Sequence, residues 1–424
     1  MAAVLIGSRE SVAFQNSGPH RREVAGRNRF RPRPHIGVNG TVVPQREVVA
    51  GRPAAMDRKP RDCRRLHSRR VLNGFDDLPN IPARLLPGAL GTHWCYQASN
   101  AAKRYLENQP DTHVTLFSTF PPVGSHLAAW QLARSTNFPW IADFRDPMAN
   151  ESVGESMNLF QRWVDQWFEK LLIRRADAVI ANTSEALARW QEKYPHLKGK
   201  AHLIWNGFDP EDRLSPLPSS SGDCRVLSHT GELYGGRSAT PILESIGRLI
   251  AAKRLPAGQI RVRLIGPMER EELPSQEFLD SARSHGWLEI VAQKIPKLDA
   301  LQIARCSDGL LLLQPQSSTQ VPGKLFEYLQ IGRPILAFIA PNSASQQLLE
   351  QSGVPYRCVY PGTCPAKIDD IVTEFFHLPS AAVAANSWFE EQFSAEKQTR
   401  VLDAIIRTVH QRSAQPAMSY FQKK

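Results

Sequence analysis

The chain has 424 residues, of which 42% are hydrophobic and 22% charged. That is ordinary globular composition, and two domains are expected at this length. The formal charge of +11 is concentrated: residues 1–70 hold 16 Lys+Arg and 5 Asp+Glu, while the other 354 residues hold 36 of each. A basic leader over a neutral body argues against a nucleic-acid binder. No run of 18 apolar residues occurs, so no membrane-spanning helix is expected. The apolar start Met1–Ile6 is too short for a signal segment. The six cysteines form no C-x-x-C pair, which excludes a zinc ribbon and fits a reduced, cytoplasmic protein.

Residues 1–80 are rich in Arg, Gly and Pro with few periodic apolar positions, so they read as a basic, disordered leader. From residue 81 the pattern changes. Trp94–Leu106 reads as a helix, His113–Ser118 as a buried strand and His126–Thr136 as a helix. Trp140–Phe144 is a second strand, Met157–Arg175 a helix, Ala178–Asn182 a third strand, and Leu203–Trp205 a fourth after a helix opened by Thr183-Ser184. The helix at 157–175 carries Trp163, Trp167 and Phe168 beside Lys170, Arg174 and Arg175, a composition that suits either a membrane interface or the core of the domain.

Residues 210–222, ending in PLPSSSG, read as a linker between a first domain at 81–209 and a second at 223–394. The second repeats the alternation. Strands are expected at Arg225–Thr230, Ile260–Ile265, Trp287–Val291, Gly309–Leu313 and Pro334–Phe338. Helices are expected at Ala239–Ala252, Glu277–His285, Leu298–Ala304, Gly323–Gln330 and Ser343–Ser352. A last helix, Ala395–Gln411, opens the closing segment 395–424. Such alternation predicts an α/β protein of two Rossmann-like, doubly wound domains facing a cleft.

Ligands of such sheets bind beyond the carboxyl ends of the strands. After Thr230 comes Gly231-Glu232-Leu233-Tyr234-Gly235-Gly236-Arg237, where backbone amides, a helix start and the Arg237 fork suit a phosphate. After Leu313 a loop leads into Gly323-Lys324-Leu325-Phe326-Glu327. Lys324 at a helix start opposes the macrodipole unless an anion lies there, and Glu327 stands one turn on, placed to take ribose hydroxyls. In the first domain Arg145-Asp146-Pro147 follows a strand, fit either to hold a sugar or phosphate or to buttress its own loop.

Four segments together resemble glycosyltransferases of family 4: residues 119–150, Ile204–Pro210, His229–Arg237 and VPGKLFEYLQIGRPIL at 321–336. The resemblance implies a GT-B fold and a retaining, metal-independent hexosyltransferase, with no cofactor and a nucleotide sugar as donor. It places Gly231, Arg237 and Lys324 at the donor diphosphate, Glu327 at the ribose, and Arg145 and Asp146 across the cleft as catalytic groups. It implies a glycan or lipid-linked acceptor in surface polysaccharide synthesis, hence a cytoplasmic protein, peripheral at the inner face of the plasma membrane. Three departures stand out. Thr319 occupies a position where many members carry a glutamate. Glu232 replaces an arginine after the first donor glycine. Residues 1–80 lack the family's opening strand and glycine-rich loop, which makes the first domain incomplete. A catalytically weak GT-B remnant that binds a nucleotide sugar or a partner is the alternative; a nucleotide-sugar epimerase fits less well.

Overall fold

The computed structural model describes residues 2–6, 92–107, 114–146, 148, 159–212, 214–218 and 224–414, which lie in one compact body. The first sheet holds β1 (Ala2–Ile6), β2 (Val114–Phe120), β3 (Trp140–Phe144), β4 (Ala178–Ala181) and β5 (Ala201–Leu203), in that order and all parallel. The reason is visible in the strands themselves. β4 is a short apolar run and β3 one interrupted only by Asp143, both buried at every position, as a sheet covered on both faces requires. One face is packed by α1 (Thr92–Glu107), α2 (Val123–Thr136), α3 (Leu159–Arg175) and α4 (Ser184–Lys193), around Leu116, Trp140, Phe144, Leu172 and Trp190. Thr183 caps α4, its Oγ1 accepting from the Ala186 amide at 3.1 Å.

β1 corrects the expectation that the leader carries no strand. Ala2 to Ile6 pair in register with Val114 to Ser118 and form the edge of the sheet. The leader between residues 7 and 80 lies outside the described residues. β5 also departs from its expected place, running two residues earlier than the apolar triplet Leu203–Trp205.

The second sheet has six parallel strands: β6 (Arg225–Thr230), β7 (Ile260–Ile265), β8 (Leu288–Val291), β9 (Gly309–Gln314), β10 (Ile335–Ile339) and β11 (Tyr356–Val359). Their spatial order is β11-β10-β9-β6-β7-β8, so the winding reverses between β9 and β6. Its helices are α5 (Thr240–Ala251), α6 (Gln276–Ser284), α7 (Lys297–Arg305), α8 (Gly323–Ile331), α9 (Ala344–Ser352), α10 (Pro365–His377) and α11 (Ser387–Phe393). The sequence reading lacks β11, α10 and α11.

The final helix, α12 (Ala395–Ala414), returns to the first domain. Its Val401, Leu402, Ile405, Ile406 and Val409 cover the second face of the first sheet, against Phe117, Ile141, Ala178, Ile180 and Ile204. The two crossings between domains run side by side. The Phe208 amide donates to the Phe393 carbonyl at 3.1 Å, and the Ala395 amide to the Phe208 carbonyl at 2.9 Å. The described part of the expected linker holds a short 3-10 turn at Pro210–Asp212 and a buried Leu214.

Candidate active site

The loops leaving β6 and β9 diverge where the winding reverses, which opens a crevice at their carboxyl ends. The candidate donor residues meet there. Gly231 ends β6 with φ +144, a backbone state that disfavours any side chain. A Cβ there would collide with the Lys324 Nζ, and a Cβ at Gly266, after β7, would collide with the Gly231 carbonyl. Gly231, backed by Gly266, thus makes a floor against which the Nζ of Lys324, from the first turn of α8, sits.

Lys324 is fixed by His229, which sequence reasoning did not single out. His229 is fully buried in β6, and its Nδ1 lies 2.9 Å from the Leu311 carbonyl of β9. A carbonyl only accepts, so Nδ1 carries the proton and Nε2 offers a lone pair. Lys324 Nζ stands 3.3 Å from that Nε2 and donates to it. Burial, followed by the charges of Lys324 and Arg237, leaves His229 well below its usual pKa and therefore neutral, against the opposing pull of the Leu311 carbonyl. Burial, then the nearby Arg237, lowers the Lys324 ammonium to about 8, against the weaker opposing pull of Glu327 and Glu232. Tyr328 anchors the same helix to β6, its hydroxyl 3.3 Å from the Thr230 amide.

Arg237 stacks over the Tyr234 ring at 4.4 Å and joins the site from the glycine-rich turn. The turn itself departs from expectation. The Gly235 amide donates to Glu269 at 3.2 Å and the Gly236 amide to the buried Glu272. These two amides are committed to carboxylates, so what this loop can offer an anion rests on Arg237.

Asp146 and Arg145 separate. Asp146 reaches across the cleft, its Oδ1 accepting from the Gln320 amide at 2.8 Å. Burial raises its carboxyl pKa, while Arg237 and Gln320 pull the other way. Arg145 turns back into its own domain: its Nε donates to Asp143 at 2.8 Å, and one terminal nitrogen to the Ile204 and Trp205 carbonyls and Asn206 at 3.2–3.3 Å. The buttress is therefore Asp143–Arg145, with Asp146 left for the cleft. A second bridge joins the domains where Thr183 donates to the Thr319 carbonyl at 2.5 Å. Glu327 stands at the rim, paired with Lys297 at 3.1 Å. Among the described residues, no group of His, Cys, Asp and Glu is placed to hold a metal ion, and no helix is long and apolar enough to cross a membrane.

Two parallel α/β sheets facing one cleft, with a terminal helix crossing back, is the architecture of GT-B glycosyltransferases, and solved structures agree. The Anabaena protein Alr3699/HepE, solved with UDP and glucose, is similar with a TM-score of 0.55 and 13% identity over 76% of this chain and 83% of that one. An α,α-trehalose 6-phosphate synthase from Burkholderia multivorans gives 0.51 and 12% over 76% and 75%. One from Burkholderia xenovorans, solved with glucose-6-phosphate, gives 0.50 and 10% over 74% and 76%. Within this class, residues 49–212 match the model of Glycosyltransferase Family 4. The match begins ahead of residue 81, so the family domain reaches into the expected leader. No curated protein matches the chain in sequence.

Proposed function

We propose that the protein is a retaining, metal-independent glycosyltransferase that moves a hexosyl group from a nucleotide sugar to a glycan or lipid-linked acceptor, in the synthesis of a surface polysaccharide. One observation carries this reading: Lys324 is held over the glycine floor at the switch point by a neutral histidine. Among the described residues no carboxylate lies within ion-pair distance of it. A partly buried ammonium bonded only to a neutral ring is costly, and an anion is the partner it lacks. A donor diphosphate supplies that anion, with Arg237 on its other side. As the sugar leaves, charge grows on the diphosphate, and fixed cations there stabilise the transition state more than the ground state. Asp146 faces the sugar from the first domain, and Arg145 positions the loop that presents it. Glu327 exchanges Lys297 for the ribose hydroxyls.

UDP is the first nucleotide to test, since solved neighbours hold it. Calorimetry should show UDP binding to the wild type, weakened by Lys324→Met and by Glu327→Ala, the latter by about 1–3 kcal/mol. A chelator should leave transfer unchanged. Failure of every nucleotide and nucleotide sugar to bind would sink the reading. Thr319 supports a second one, a binding-only remnant, which predicts nucleotide binding with neither transfer nor donor hydrolysis.

A further inference from the structure

α3 presents an unusual outer face. Its two acidic residues with described side chains, Asp165 and Glu169, are buried, Glu169 accepting from Tyr194 at 2.8 Å. Among its described side chains the exposed ones are Trp163, Gln166, Trp167, Lys170, Arg174 and Arg175. Trp163 is 61% exposed and Trp167 50%, for a residue type that is mostly buried in folded proteins. Spacings of four, three and four residues from Trp163 to Trp167, Lys170 and Arg174 align one stripe on a helix. Lys200 extends it, its Nζ donating to the Arg174 and Ala176 carbonyls at 3.1 and 2.8 Å. His196 stands beside these cations, held below its usual pKa by burial and then by Lys200, Arg174 and Lys170. Asp177 is the carboxylate near Lys200.

The stripe has a direction. α3 connects two parallel strands, β3 and β4, so it runs antiparallel to them. Its tryptophan end therefore lies toward the carboxyl ends of the strands, where the cleft opens, and its cationic end away from it.

We infer that this face of α3 docks on an anionic lipid bilayer, with Trp163 and Trp167 entering the interface and Lys170, Arg174, Arg175 and Lys200 meeting lipid phosphates. Indole rings favour the headgroup level and basic side chains an anionic surface, and here the two are segregated along one helix. A second copy of the chain would present the same cations and repel them, so charge complementarity selects the bilayer. The docking does not rest on the transfer chemistry. It would bring the mouth of the cleft to the surface on which a lipid-linked acceptor lies.

The test uses the full chain and vesicles of phosphatidylglycerol, or of phosphatidylcholine, brominated on their acyl chains. Residues 1–93 contain no tryptophan, so a basic leader clinging to lipid cannot itself bring an indole to the bromines. Phosphatidylglycerol vesicles should quench part of the fluorescence, and Trp163→Phe/Trp167→Phe should remove that part while the protein still sediments. Lys170→Gln/Arg174→Gln should weaken sedimentation by about tenfold or more, and raising salt to about 0.5 M should do likewise. These exposed substitutions should leave the far-UV spectrum and Tm unchanged. The inference is overturned if quenching is absent, if it survives the Phe variant, or if neutral vesicles quench equally. It is also overturned if the tryptophans instead bury in a dimer that Trp163→Ser/Trp167→Ser dissolves.

Discussion

The two domains are built differently from similar parts. The second is continuous in sequence: its six strands lie between Arg225 and Val359, and its helices follow in turn. The first is assembled from distant pieces. Its edge strand comes from residues 2–6, its body from residues 92–205, and one of its two helical faces from residues 401–409. A domain made of neighbours in sequence can hold itself together. One made of remote segments depends on contacts that close very long loops.

The largest expected effect tests that dependence directly. Truncation after Ser394 would uncover Phe117, Ile141, Ile180 and Ile204. At about 25 cal/mol per Å² of apolar surface, losing α12 should cost on the order of 5–10 kcal/mol, comparable to a whole domain's stability. Calorimetry should show the first domain's transition lost and the second's retained; a single unchanged transition would refute the contrast.

Next comes Lys324→Met, which should lower kcat roughly a hundredfold to a thousandfold with the fold intact. His229→Phe should also slow turnover, by less, and its effect should vanish in the Lys324→Met background, because His229 acts through that ammonium. A third experiment removes residues 2–6. Losing one ladder of β2 hydrogen bonds should cost about 2–4 kcal/mol and lower Tm by several degrees, and the bared edge of β2 should promote association. An unchanged Tm would mean the strand contributes nothing to the sheet.

The smallest effect is a pH dependence confined to the second domain. The Lys324 ammonium titrates near 8 in the folded protein against an ordinary 10.5. Between those values the unfolded chain binds more protons, so folding stability rises with pH across this window, and below it the cost of the buried charge is full. Nucleotide binding runs the opposite way. A diphosphate favours the protonated amine, so affinity should fall as pH rises through about 8, becoming about tenfold weaker at pH 9 than at pH 7. Calorimetry at the two pH values checks the sign. A flat profile would mean Lys324 does not touch the anion.

The same contrast explains what could be read from the residues alone. Buried strands such as Ala178–Ala181 and Gly309–Gln314, followed by helices with Thr183 or Gly323 near their starts, announce themselves by local pattern. Ala2–Ile6 does not. Five apolar residues ahead of a polar, arginine-rich stretch carry no period, and only the partner strand more than 100 residues later makes them a strand. The site divides likewise. Gly231 and Lys324 were legible because a glycine at a strand end and a lysine at a helix start each need a reason. His229 was not, since a histidine within a strand resembles any core residue until Leu311 and Lys324 are placed on its two nitrogens. Nor could spacing tell which of Arg145 and Asp146 faces the cleft. That depends on Asp143, two residues back on the same strand, capturing the guanidinium first.

The return of α12 also has a meaning in time. During synthesis the first sheet emerges early, yet the residues that cover its second face come from positions 401–409, far beyond its last strand at Ala201–Leu203. Until they leave the ribosome, Phe117, Ile141, Ile180 and Ile204 have no cover, and the half-made protein is a substrate for any chaperone that binds exposed aliphatic surface. The emergence of residues 401–409, rather than of the first sheet's own strands, is then the event that releases it.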